Sequence, residues 1–376
     1  MALNPFPSPS IQQTVLAMDA WLDSMRQPGG YGGPVVHWWN DCLAYTGPGL
    51  DWRYEGILAG YLNLWQATCE PAWLDKAIRA GEDLVAGQLP SGNFYNSCFE
   101  LNPNTGGTPH EAAACTGLLR LAAALRQNGD PAGKRYLHVA EKNLLAFYVG
   151  RLWDAGAGYF RDDPGVLCFV PNKSATLVEA LMLYARLAQA EEVIPRFVVP
   201  TLEAILEHQV QAGEHKGAIC QNSFGGRKVH KYFPYYVARC IPALVMAYET
   251  ICDPRYLQAA FDAAGFVLAS RYADGSFPQV LYPGRPANRF PQWIAATGDV
   301  LRAWAMLEPY GWSGDPEPTR RWLLAGRLPD GSIRTGQGFG AARVPAREHD
   351  FRDEVAVTGW VDKAFRYLTA CVAQES

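Results

Sequence analysis

The stretch DPRYLQAAFDAAGFVLASRYADGSF, Asp253 to Phe277, constrains this chain more than any other. Asp253 is a helix cap, and Pro254 fits the first helical turn, where its missing N–H costs nothing. Leu257, Ala260, Phe261, Ala264, Val267 and Leu268 then recur at helical spacing. Asp274-Gly275-Ser276 supplies turn chemistry at the end. A helix with one apolar stripe needs neighbours to cover it. Weaker copies of the unit along the chain therefore imply a repeat architecture.

The copies pair into hairpins. Helical patterns run from about Ile11 to Arg26, Asp51 to Thr68, Pro71 to Leu89 and His110 to Gln127, then to about Trp153. Others cover Asn172 to Gln189, Ile194 to Gln211, Tyr232 to Ile251, the unit at 253, Phe290 to Leu307, a shorter one from Pro316, and His349 to Ala373. That predicts twelve helices, or six hairpins. Six times a helix ends in a glycine turn and crosses a loop of roughly 17–24 residues before the next helix, whereas the return links are short. The simplest closed packing is all-α: a single (α/α)6 toroid over residues 1–376. The second helix of each hairpin is the inner one, because 112–125, 176–188, 237–248 and 294–307 are apolar on most faces. All six long loops then share one rim, and six inner-helix N-termini, with their unpaired N–H groups, point into one cavity.

Bulk properties narrow the function. A 49% hydrophobic chain can bury a large core, and a net charge of −4 gives no electrostatic reason to bind nucleic acid. No apolar run approaches the ~20 residues of a membrane span. The opening MALNPFPSPSIQQ lacks a basic start and an apolar run, so the expectation is a cytoplasmic protein without membrane partners. The nine cysteines form no C-x-x-C pair, and they are read as small buried hydrophobes in a reducing compartment, with no metal site and no cofactor.

The rim loops concentrate polar and aromatic groups. Trp39, Trp52, Tyr235 and Trp293 offer stacking faces; His37, Arg53, Asn104, Lys173, Lys231, Arg289 and Asp353 offer hydrogen bonds or charge. Aromatic faces beside such groups suit a sugar, and the cations suit a carboxylate or sulfate on it. Asp51 and Glu55 lie one helical turn apart, the spacing of a carboxylate pair that can divide into acid and base. His110-Glu111 opens an inner helix as a general acid/base candidate, alongside first-turn service to the helix dipole. His230, Lys231, Tyr232, Tyr235 and Tyr236 form the densest proton-transfer group, with Tyr232 and Tyr236 on one predicted face, and His349 opens the last inner helix.

With these residues in view, the chain resembles the six-hairpin glycosidase-like superfamily, most nearly the unsaturated glucuronyl hydrolases. HEAAACTGLLRLAAAL from His110 looks like that family's His-Asp-x-Gly-Phe inner helix, with Glu111 in the place of its functional Asp. The next inner helix begins Pro171-Asn172-Lys173-Ser174, without the family's second carboxylate. The chain is also similar to the N-acylglucosamine 2-epimerases, whose toroid uses histidines as acid and base. Terpene cyclases and prenyltransferases share such toroids, but the chain lacks the Asp-x-Asp-Asp motif of the former and the zinc set of the latter.

The expectation is a carbohydrate-active enzyme on a small-molecule or oligosaccharide substrate. Its first form is hydrolysis of a small acidic saccharide by Asp51, Glu55 or Glu111. Its second is a sugar epimerase or uronate lyase using His110, His230, Tyr236 or His349. A third reading, from a different class, is a toroid that binds an isoprenoid or a glycan without sugar chemistry.

Overall fold

The computed structural model describes residues 10–36, 43–96, 107–341 and 350–375. Among them are twelve helices: α1 (Ile11–Ser24), α2 (Arg53–Thr68), α3 (Pro71–Ala86), α4 (Ala113–Gln127), α5 (133–152), α6 (Pro171–Ala188), α7 (194–207), α8 (Pro234–Ile251), α9 (Pro254–Ala269), α10 (Thr297–Leu307), α11 (Glu317–Ala325) and α12 (Thr358–Glu375). Each even-numbered helix packs on the next, and α12 packs on α2, so the six close into a ring. The odd-numbered helices lie against that ring from outside. This is the (α/α)6 toroid that the hairpin repeat implies. No helix among the described residues is long and apolar enough to cross a membrane.

Ring closure depends on small residues. A Cβ on Gly56 of α2 would lie 2.2 Å from the Asp362 carbonyl oxygen, and one on Gly298 of α10 would lie 2.4 Å from that of Lys363. Glycine at these two positions lets both neighbours close on the backbone of α12. The Gly56 N–H donates to Asp362 Oδ2 at 3.1 Å, and the Thr358 hydroxyl donates to the Gly32 carbonyl at 2.8 Å. Chain beginning and chain end are thereby joined by hydrogen bonds as well as packing.

Three inner helices start later than their periodicity suggests. Helix α8 begins at Pro234, and Tyr232 lies ahead of it in a backbone bridge to Leu281, so Tyr232 and Tyr236 do not share a helix face. Proline restricts the residue before it to extended conformations, which fixes this start. Helix α10 begins at Thr297, because Gln292–Trp293 pairs with Gly336–Gln337 as a short ladder. Helix α12 begins at Thr358, preceded by a 3₁₀ turn at Phe351–Glu354.

The rim loops also carry structure of their own. Gly33–Val36 pairs with Leu43–Thr46, Val280–Tyr282 with Arg285–Asn288, and Cys168–Phe169, Asn222–Phe224 and Arg227–Val229 form three strands across two loops. Among the described cysteines four depart from the buried expectation: Cys168 and Cys371 are half-buried, and Cys69 and Cys252 are exposed, each in the left-handed conformation that ends an inner helix.

Candidate functional site

The inner-helix N-termini assemble a chain of rings. Trp52, immediately before α2, meets His110 edge-on with centroids 5.3 Å apart, and Trp360 at 5.0 Å. Trp360, in the first turn of α12, stacks on Trp293 at 4.6 Å and 15°. It also tilts against Tyr235 of α8 at 5.4 Å, and Tyr235 meets Tyr236 at 5.7 Å. Five of the six inner-helix starts thus supply one aromatic group. The sixth, that of α6, supplies Lys173, whose Nζ donates to Asp162 at 2.8 Å.

His110 is the titratable member. It sits in the 3₁₀ turn Pro109–Ala112 that leads into α4, with Nδ1 2.7 Å from the Thr108 hydroxyl. Burial pushes its pKa well below 6.5, and the positive charges of Lys173, Arg239 and Lys363 push it further. The ring is therefore neutral at neutral pH and able to accept a proton.

Beneath the rings lies a layer of buried charge. Tyr235 donates its hydroxyl to Asp299 Oδ2 at 3.1 Å, which links the two layers. Arg239 reaches Asp299 at 3.1 Å and Glu55 at 3.2 Å, and Arg366 binds the same two carboxylates. Lys363 Nζ stands 2.6 Å from Asp362, 3.6 Å from Glu55 and 4.4 Å from the centre of the Trp52 ring. Although burial opposes ionisation, Arg239, Arg366 and Lys363 hold the Glu55 carboxyl well below its usual range. Burial wins at Asp362, which is pushed up to about 7 despite Lys363.

The remaining candidates fall into separate places. Asp51 and Glu55 are not a pair, because different cations hold them. Both Asp51 oxygens bind the Arg53 guanidinium, at 2.8 and 3.0 Å, and Arg53 also donates to the Tyr31 carbonyl. The same Asp-x-Arg clamp recurs at Asp350 and Arg352, before α12. Glu111 accepts from the Gly107 N–H, and its charge acts on Tyr148 of α5.

His230, which is exposed, lies 3.0 Å from the Tyr232 hydroxyl and 3.6 Å from Cys220 Sγ. Tyr232 packs on Phe266 of α9, so this group sits against the outer layer. The densest proton-transfer group in the sequence is thus divided, with Tyr235 and Tyr236 in the ring cluster and His230 outside it. Lys231 closes its hairpin through a backbone bond to Gln221, and Arg289 lies over Tyr272, 3.8 Å from Asp274. Asp353 accepts from the Phe339 N–H at 3.1 Å. His37, Trp39, Asn104 and His349 lie outside the described residues.

Trp360, Arg239, Asp299, Asp362, Lys363 and Arg366 are absent from the sequence-derived set. Their signal is nonetheless present: charged residues inside helices that must be covered on both sides, as in VARCIPALV and WVDKAFRYL. Among the described residues no group of three or more His, Cys, Asp or Glu side chains is arranged to hold a metal ion.

No family model matches the chain, and none of the curated proteins does. Solved structures do. A possible member of the GH105 family from Klebsiella pneumoniae is 13% identical, with TM-score 0.69 and full coverage of both chains. A sugar epimerase from a ruminal bacterium is 13% identical, with TM-score 0.71 over 97% of this chain and 98% of its own. An unsaturated glucuronyl hydrolase specific for heparin is 14% identical, with TM-score 0.67 over the same shares. At such identities the likeness is one of fold. This chain has the (α/α)6 fold of the six-hairpin glycosidase-like proteins, and the chemistry it carries has to be argued from its own site.

Proposed function

We propose that this protein is a carbohydrate-active enzyme that binds a small acidic saccharide at the inner-helix N-termini and moves a proton with His110. The observation that carries this reading is the position of His110: buried, neutral, oriented by Thr108 and set edge-on to Trp52 in the ring cluster. Of the carboxylates expected for hydrolysis, Asp51 is engaged by Arg53, Glu55 by Arg239, Arg366 and Lys363, and Glu111 accepts from the Gly107 N–H. Histidine chemistry of the epimerase or lyase kind is therefore favoured over hydrolysis. The fold likeness to a sugar epimerase and to an unsaturated glucuronyl hydrolase specific for heparin supports a saccharide substrate.

In this reading the half-buried Trp293 ring, backed by the buried Trp360 and Trp52, offers an apolar face to the sugar, and Lys173 offers charge to its carboxylate. With Nδ1–H donating to Thr108, the His110 Nε2 lone pair takes the proton from the carbon next to the carbonyl or carboxylate. The C–H electron pair passes to that carbonyl oxygen. A proton from water, delivered to the other face of the carbon as the electron pair returns from the oxygen, gives the epimer, and His110 releases its proton to solvent. Loss of the substituent one carbon further on gives the unsaturated product instead.

The test is a panel of free sugars, uronates and uronide oligosaccharides incubated with the protein in deuterated water. The expected result is deuterium at the carbon next to the carbonyl, with an epimer signal by NMR or ultraviolet absorbance from an unsaturated uronide. New reducing ends without carbon-bound deuterium or unsaturation would overturn the reading in favour of hydrolysis. No turnover across the panel would leave a binding toroid.

A further inference from the structure

A network of cations and carboxylates runs through the barrel. Five cations, Arg120, Arg239, Arg302, Lys363 and Arg366, meet four carboxylates, Glu55, Glu179, Asp299 and Asp362. Arg302 holds Glu179 Oε1 at 2.5 Å and comes within 4.0 Å of Glu55. Among the described residues Arg120 reaches a single carboxylate, that same Glu179 oxygen, at 3.8 Å. Although 41% of its side chain is exposed, low-dielectric surroundings and the neighbouring Arg302 pull Arg120 down to about 10. It stays charged at neutral pH, crowded by a like charge.

The arginine-rich end of this network lies toward the mouth opposite the ring cluster. Arg120, Arg302 and Arg366 line a cavity of about 260 Å3 there, with Asn63, Tyr367 and Gln374. Two buried guanidinium nitrogens of these residues, Arg302 Nη1 and Arg366 Nε, have no hydrogen-bond partner. Arg366 is only 5% exposed. A neighbouring space of about 800 Å3 shares Arg120 and Met306 with this cavity.

Helix dipoles do not explain these three arginines. Arg126 and Arg186 stand in the last turns of α4 and α6, where cations serve free carbonyls, and Arg126 does donate to the Leu187 carbonyl. Arg120, Arg302 and Arg366 sit inside their helices, away from the last turn, where no carbonyl lacks a partner.

We propose that this cavity is an oxyanion site, in which Arg120, Arg302 and Arg366 bind a phosphate group. The volume lies just below the ~300–1,000 Å3 of sites for drug-sized ligands, and guanidinium groups match phosphate oxygens in geometry and charge. The phosphate is either free or part of a phosphorylated metabolite whose remainder occupies the adjoining space. Bound there, it offsets the crowded like charges of Arg120 and Arg302.

The experiment is isothermal titration and thermal unfolding of the full chain with inorganic phosphate, at constant ionic strength set with chloride. The expected result is saturable binding, with an unfolding midpoint that rises with phosphate concentration. Arg120→Gln weakens binding by about tenfold or more, whereas Arg126→Gln, at the same mouth, leaves it within about twofold. Arg120→Lys, which keeps the charge, retains part of the affinity and guards against a folding defect in Arg120→Gln. A sugar phosphate that binds more tightly than inorganic phosphate identifies a metabolite as the occupant, and equal affinities identify free phosphate. Absence of saturable binding, or equal losses in Arg120→Gln and Arg126→Gln, overturns the proposal. Because no turnover is measured, the outcome is independent of the saccharide chemistry proposed for the other mouth.

Discussion

The inner helices carry two layers of different character, about one turn apart. At their N-terminal starts, Trp52, His110, Tyr235, Trp293 and Trp360 form a mostly buried cluster of rings whose histidine is kept neutral. One turn further in, Glu55, Arg239, Asp299, Lys363 and Arg366 form a network in which each carboxylate is shared between cations. The contrast separates binding from architecture. Rings with apolar faces and one neutral base suit a ligand that comes and goes. Carboxylates each held by two or more cations tie neighbouring inner helices together and keep the ring of helices in register.

That division can be broken by substitution. The largest expected effect is in the ionic layer. Glu55→Gln leaves Arg239, Arg366 and Lys363 facing a neutral amide, and removing one partner of a buried network costs about 3–5 kcal/mol. Urea unfolding should show this as a lower midpoint. An unchanged midpoint would mean that Glu55 is not an architectural charge and belongs with the catalytic candidates.

The next effect is in the ring layer and should be kinetic. His110→Asn should reduce turnover of whichever saccharide proves active by about 10²–10⁴-fold, the usual contribution of a general acid or base. Its unfolding midpoint should move far less than that of Glu55→Gln. A variant that unfolds early yet turns over normally would reverse the assignment of the two layers.

The sequence shows the layers unequally. Periodicity and glycine turns such as Asp274-Gly275-Ser276 are enough to count the helices and set their alternation, because an amphipathic stripe writes itself directly into residue spacing. Trp52, His110, Lys173, Tyr235 and Trp293 are legible for the same reason, since they sit where predicted inner helices begin. Helix starts are less legible: Pro291 and the Gln292–Trp293 ladder delay α10, a tertiary pairing with Gly336–Gln337 that local spacing does not record. Pairing is least legible of all. Asp51 and Glu55 have the spacing of a catalytic couple, but their fates are decided by Arg53 two residues away and by Arg239 and Arg366 across the barrel. Trp360 escapes because α12 starts at Thr358, whereas the residue spacing places its first turn near His349.

The smallest effect is the sharpest test, because the two layers should respond to pH with opposite signs. The pKa of His110 lies below 6.5 in the folded protein. As pH falls below 6.5 the unfolded chain takes up a proton that the folded one refuses, so this group removes stability on the acid side. Asp362 behaves in the reverse way, with its carboxyl raised from 3.8 to about 7. Between those values the folded state binds the extra proton, so its contribution is full at low pH and is lost as pH rises through about 7. Each proton difference is worth at most about 1.4 kcal/mol per pH unit. Unfolding free energies measured from pH 5 to 8 in His110→Asn and Asp362→Asn should therefore deviate from wild type in opposite directions. His110→Asn should flatten the loss toward acid, and Asp362→Asn should flatten the loss toward base. If both variants changed the slope in the same direction, the neutral base and the raised carboxyl would be responding to one shared charge, and the ring layer could not be treated as electrically separate from the network beneath it.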